Sequence, residues 1–183
     1  MSTESSKAKA SSPLIRRIHP SDRPALAALI VKDGLFTPPE LKVSLELIDG
    51  ALADPDGDYR VLVAEVADLK GLNGPAAPES TVAGYVCYGP SPMTEGTWDL
   101  YWIVTHPEAR GRGVAGALVG AMEAELSCAG ARLIRVETSE QELYEAAHRF
   151  YVRYQYPEVA RLDDFYKPGD ALIIMVKRLS SAT

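Results

Sequence analysis

The chain has 183 residues, 46% hydrophobic and 24% charged, with a net charge of -6. That composition is the one expected of a single soluble globular domain with its own core. The acidic balance argues against a general nucleic-acid binder or a partner of anionic membranes, and no apolar run approaches the ~20 residues that span a bilayer. The two cysteines, Cys87 and Cys128, match neither metal-ligand nor redox spacing. Each therefore reads as a small buried hydrophobe, in a reducing, cytoplasmic setting and with no metal.

In chain order, residues 1–12 are rich in Ser, Ala and Lys and read as a disordered tail without the apolar segment of a secretory signal. Residues 13–183 read as one domain. A short strand is expected over Leu14 to Ile18. A helix capped by Ser21 or Asp22 follows to about Lys32, with Pro24 in its first turn. Pro38-Pro39 opens a second helix to about Ala53, stopped by Asp54-Pro55-Asp56-Gly57. Strands are expected over Arg60 to Val66, Val82 to Tyr88 and Thr97 to Thr105, the first two separated by a loop over Gly71 to Ser80. Gly113 to Cys128 is an amphipathic helix whose stripe is Val114, Leu118, Met122 and Leu126. A strand over Leu133 to Thr138, a helix over Tyr144 to Tyr154, and two strands joined by Lys167-Pro168-Gly169-Asp170 complete the chain. This order gives a mixed sheet with helices on its faces and one parallel crossover.

The stretch from Val104 to Leu118, V-T-H-P-E-A-R-G-R-G-V-A-G-A-L, joins the third of these strands to a helix. A glycine-rich turn there leaves backbone N–H groups unpaired ahead of a helix dipole, an arrangement that binds phosphate. Two patterns fit. Gly111-x-Gly113-x-x-Gly116, with Glu137 about 20 residues on, matches the dinucleotide fingerprint of a nicotinamide-dependent oxidoreductase. Against it, His106 to Arg110 intervene between strand and first glycine, Arg110 and Arg112 flank Gly111, and too little chain follows for a doubly wound sheet.

The second pattern is Arg110-x-x-Gly113-x-Ala115, preceded by Val104-x-x-Pro107. It resembles the pyrophosphate-binding signature of the GCN5-related N-acetyltransferase (GNAT) superfamily, Gln/Arg-x-x-Gly-x-Gly/Ala. Ala147-His148-Arg149-Phe150-Tyr151, followed by Tyr156, resembles that family's last helix, and the likeness runs from about Val82 to Leu179. The resemblance implies the acyl-CoA N-acyltransferase fold, an α/β (α+β) class with a mixed, mostly antiparallel sheet of about seven strands and helices on both faces. It also implies acetyl-CoA as cosubstrate. The backbone of Arg110, Gly111, Arg112, Gly113, Val114, Ala115 and Gly116 would hold the pyrophosphate. Ile103, Val104 and Thr105 would pair with the pantetheine arm where the motif strand splays from the next.

Acetyl transfer to an amine needs removal of an ammonium proton, a donor for the oxyanion and a proton for the leaving thiolate. Tyr151 matches the family's general acid. Asp99 stands where many members carry an acid and is the candidate base, with Glu137 and His106 behind it. His106, before a proline, reads as a surface histidine. Strand alternation puts Trp98, Leu100, Trp102 and Val104 on one face and Asp99, Tyr101 and Ile103 on the other. Two departures stand out: Tyr144 occupies the place of an asparagine common before the last helix, and Gln155 replaces a glycine. Glutamine resists the left-handed cap that glycine favours.

The acceptor pocket implied by the family lies among the N-terminal helices, the Pro90 to Gly96 loop and the Phe165 to Asp170 turn. Aromatic walls (Tyr85, Tyr88, Tyr101, Phe165) and acids (Glu40, Glu46, Asp163, Asp164) point to a small-molecule primary amine or amino acid. The closing turn is similar to that of a GNAT branch described as acting on small amino acids such as D-alanine. A protein N-terminus or lysine is the alternative acceptor, and a non-catalytic acyl-CoA-binding module the alternative role. No nucleic-acid or membrane partner is expected, and the assembly would be a monomer or homodimer.

Overall fold

The structure is a computed structural model and describes residues 12–67 and 81–179. The expected tail, apart from residue 12, and the Gly71 to Ser80 loop lie outside the described residues.

Seven strands form one sheet in the order β1-β2-β3-β4-β5-β7-β6. They are β1 (Leu14–Arg17), β2 (Arg60–Val66), β3 (Thr81–Pro90), β4 (Thr97–Thr105), β5 (Leu133–Ser139), β6 (Glu158–Lys167) and β7 (Asp170–Arg178). Every neighbouring pair is antiparallel except β4 and β5, which run parallel. Four helices cover the faces: α1 (Arg23–Asp33), α2 (Pro38–Ala53), α3 (Val114–Cys128) and α4 (Glu145–Arg153). None is long and apolar enough to cross a membrane.

Local chemistry accounts for the helix ends. Before α1, His19 and Asp22 form the capping box of a short 3-10 turn, so Asp22 acts one turn earlier than a cap of α1 itself. Its carboxylate also receives both Nη groups of Arg16. Thr37 and Glu40 box the start of α2, and Gly34 ends α1 at φ 77°.

Two cores sandwich the sheet. On one side α3 and α4 bury Val114, Leu118, Met122, Leu126 and Tyr151 against Leu100, Ile134 and Val136. On the other, α1 and α2 bury Leu26, Ile30 and Ile48 against Val63, Tyr85 and Val104. The anticipated α3 stripe is fully inside. Tyr85 and Tyr88 belong to opposite cores at 0% and 1% exposure, so neither is a pocket wall. Cys87 is buried, its thiol pushed up to about 12 by burial, whereas Cys128 is exposed at the end of α3 and is no core residue.

Candidate active site at the β4–β5 fork

β4 and β5 pair over only four rungs, Thr97↔Leu133 to Leu100↔Val136, and then part. A bulge in β4 coincides with the parting. Cys87 faces Trp102 and Tyr88 faces Leu100, so Tyr101 has no partner on β3. One extra residue reverses the side-chain alternation beyond it. Trp98, Leu100 and Ile103 therefore pack toward α3 and α4, while Tyr101, Trp102 and Val104 pack toward α1 and α2. The simple alternation expected from sequence fails here, because periodicity does not report a bulge.

The bulge and fork also select which backbone groups are open. His106 donates its N–H to Ala83 O, and the Val104 carbonyl lies over Gly84, so both turn toward β3. By alternation, Ile103 and Thr105 turn theirs into the fork. The Val104 backbone is spent on β3 and cannot pair with an arm lying there.

The glycine turn closes one end of the fork. His106 Nδ1 accepts from the Glu108 N–H at 3.2 Å and caps the turn Pro107–Ala109. This histidine is 5% exposed rather than superficial, burial lowers its pKa, and its Nε2 is sealed without a partner. A neutral, sealed imidazole is not placed to relay a proton. Gly111 and Gly113 have φ of 76° and 81°, the left-handed region that glycine enters without penalty. The amides of Arg110 and Arg112 donate to Pro107 O and Ala109 O. Those of Gly111, Gly113, Val114, Ala115 and Gly116 have no backbone acceptor among the described residues and precede the first α3 bond, from Ala117 to Gly113. The arrangement is a cluster of donors at a helix N-terminus, the chemistry of a phosphate site. The amides of Arg110 and Arg112 are thus spent within the turn itself. The Arg110 guanidinium bonds Asp33 at the end of α1 at 2.5 Å, and Arg112 is exposed without a partner among the described residues.

α4 lies beside this turn. A Cβ on Gly116 would sit 1.8 Å from the Tyr154 hydroxyl, so only glycine leaves room for that ring, which stacks on Phe150 at 4.6 Å. Tyr151 is the single buried residue of α4, at 5% exposure. Its hydroxyl makes no hydrogen bond among the described residues, yet it is not among their sealed, unpartnered polar atoms, which are Arg60 Nε, Tyr85 Oη and His106 Nε2. Burial raises its pKa above the usual phenol value, keeping it protonated.

The helix end that Gln155 put in question forms nonetheless. Gln155 adopts φ 67°, and Tyr156 N–H closes onto Tyr151 O at 2.9 Å. The 0%-exposed Tyr156 ring holds the turn, its hydroxyl bonded to Glu123. A left-handed non-glycine residue costs roughly 1–2 kcal/mol. Gln155→Gly is accordingly expected to stabilise the protein by about 1 kcal/mol in urea denaturation. An unchanged or lower midpoint would show that no strain is held there.

On the α1/α2 side, Asp99 is 7% exposed and fully engaged. Ser91 Oγ donates to Oδ2 at 2.6 Å and Arg135 Nε to Oδ1 at 2.7 Å. Both oxygens of Asp99, the expected base, are thus committed to neighbours, and one of them holds the Arg135 guanidinium. Glu137, two residues along β5, is 42% exposed at its side chain and lies past the last β4–β5 rung. Beyond Leu162, β6 leaves the ladder until Lys167, and Phe165 and Tyr166 stand half-exposed in edge-to-face contact at 5.0 Å. Burial and then the fields of Glu137 and Asp170 raise the Tyr166 phenol. Arg135 carries no motif. Its place beside Asp99 follows from strand register, which sequence spacing does not reveal.

The comparisons agree with this geometry. The family model described as Acetyltransferase (GNAT) family matches residues 46–156. A protein of known structure assigned to the GNAT family, from Desulfovibrio desulfuricans, shares 33% identity over 92% of this chain and 100% of its own, with a TM-score of 0.81. An aminoglycoside 6'-N-acetyltransferase complexed with coenzyme A is 16% identical over 93% and 99%, TM-score 0.67. The YncA protein of Salmonella typhimurium with acetyl-CoA is 18% identical over 94% and 97%, TM-score 0.67. No curated protein sequence matches the chain. The chain belongs to the GNAT acetyltransferase family.

Proposed function

We propose that the protein transfers the acetyl group of acetyl-CoA to the primary amine of a small molecule by direct attack on the thioester. The observation that carries this reading is the fork itself. It parts the sheet next to the phosphate-type turn, with Tyr151 of α4 on one face and Arg135 and Glu137 on the other. Two similar structures hold coenzyme A or acetyl-CoA, and the free amides of Gly111 and of Gly113 to Gly116 fit its pyrophosphate. The open backbone of Ile103 and Thr105 would carry the arm.

The chemistry then divides between the two sides. The amine nitrogen attacks the thioester carbonyl carbon as the carbonyl π pair moves to oxygen, where a β4 N–H near the bulge donates. The carbon–sulfur bond breaks as that pair returns, and Tyr151 gives its proton to the departing thiolate. The ammonium proton leaves to Glu137, directly or through water. Glu137 lies on β5 past the last β4–β5 rung, and its ion pair among the described residues is with Arg135, at 3.4 Å.

Thiol release from acetyl-CoA across a panel of amines is the test, together with thermal-shift titration by acetyl-CoA, CoA and NAD(H). Stabilisation by the two coenzyme A species and amine-dependent thiol release are expected. Stabilisation by NAD(H) alone, or coenzyme A binding with no acceptor turned over, would overturn the proposal.

A further inference from the structure

Arg135 presents an oriented cation at the base of the fork. Its Nε is clamped by Asp99, which is buried and held in turn by Ser91, so the plane of the guanidinium is set from below. Nη1 meets Glu137 Oε1 at 3.4 Å without forming a hydrogen bond, and Nη2 has no partner among the described residues. The side chain nonetheless stays 40% exposed. Ile134 and Val136 are buried against α3 and α4, so Arg135 and Glu137 share the opposite face, side by side and both reachable from the acceptor mouth.

A structural arginine needs its hydrogen-bonding edges filled. This one has a single edge filled and keeps the other toward solvent, the posture of a guanidinium that receives a planar anion. The adjacent Glu137 favours an ammonium. An isolated carboxylate would be repelled by Glu137, and a plain amine would leave the outward Nη2 edge of Arg135 to water. A molecule carrying ammonium and carboxylate on neighbouring atoms satisfies both.

We infer that the acceptor is a free α-amino acid, its carboxylate bound by Arg135 and its amino group delivered to Glu137 at the opening of the fork. This rests on the acetyl-transfer reading above and narrows its substrate class. Arg135 is a specificity-determining residue, and Asp99 and Ser91 position it.

The experiment compares the standard α-amino acids, each beside its primary amide and its decarboxylated amine, by thiol release from acetyl-CoA. The amide is the stricter control, because it keeps the amino group and removes only the carboxylate charge. At least one amino acid is expected to exceed its amide about 100-fold or more in kcat/KM, since the amide cannot make the charge-assisted, two-point contact that a guanidinium edge offers a carboxylate. Arg135→Gln should bring that ratio to within about tenfold of one. The ratio is independent of how much variant folds. Amides or simple amines turned over as well as amino acids would overturn the inference and leave acetyl transfer standing. Acetylation confined to peptide N-termini or lysines would also overturn it. Thiol release with no acceptor would overturn both readings.

Discussion

Tyr151→Phe is expected to lower kcat by about 100-fold or more while leaving the KM for acetyl-CoA nearly unchanged, the range set by loss of one general acid. The ring stays, so the packing against Tyr156 and Phe150 is kept. The hydroxyl has no hydrogen-bond partner among the described residues, so its removal strands no buried partner there. Thermal stability should therefore be preserved, which separates a catalytic loss from a folding one. Burial raises the phenol pKa above the ordinary value of about 10, so the proton is present throughout the neutral and moderately alkaline range. Wild-type kcat should accordingly show no alkaline fall attributable to this group below about pH 10. A thioester with a more acidic thiol needs less help from an acid, and the defect should shrink with it. An unchanged kcat in Tyr151→Phe would remove the assignment.

Gly113→Ala should weaken coenzyme A binding by about 10-fold to 100-fold and destabilise the protein by about 1–2 kcal/mol. The cause is conformational, because a Cβ at Gly113 would meet nothing within 4 Å. At φ 81° an alanine either holds the strain or rotates, and rotation swings the amides of Gly113 and Val114 away from a common anion. Gly120 supplies the control. It lies in the same helix, is exposed, has no positive φ and also has open space at its Cβ. Gly120→Ala should gain up to about 1 kcal/mol and leave coenzyme binding untouched. Calorimetric titration with CoA and thermal denaturation read both effects. Unaltered affinity in Gly113→Ala would show that the phosphates bind elsewhere.

The element order and most boundaries could be read from the chain because each rests on neighbours in sequence. Pro38-Pro39 ahead of a Thr37–Glu40 box, the Val114 to Leu126 stripe and the glycines at 111 and 113 act within one or two turns. The phosphate-type turn is the same kind of feature, since its donors come from a contiguous stretch, and a short motif therefore found it. The capping histidine His19 and the left-handed Gln155 were not anticipated. At His19 the cause is still local, because Asp22, three residues on, completes the box; at Gln155 it is tertiary, because Tyr156, fixed in the core, pulls the residue into place.

What the sequence by itself determined is the phosphate-type turn and the family, because both are written in adjacent residues. What only the tertiary structure decided is the arrangement of side chains around the fork. The unopposed Tyr101 exchanges the faces of Trp102, Ile103 and Val104, Ser91 and Arg135 hold both oxygens of Asp99, and β6 leaves the ladder between Leu162 and Lys167. Each joins residues on different strands, and strand register is a property of the whole sheet that no single segment encodes.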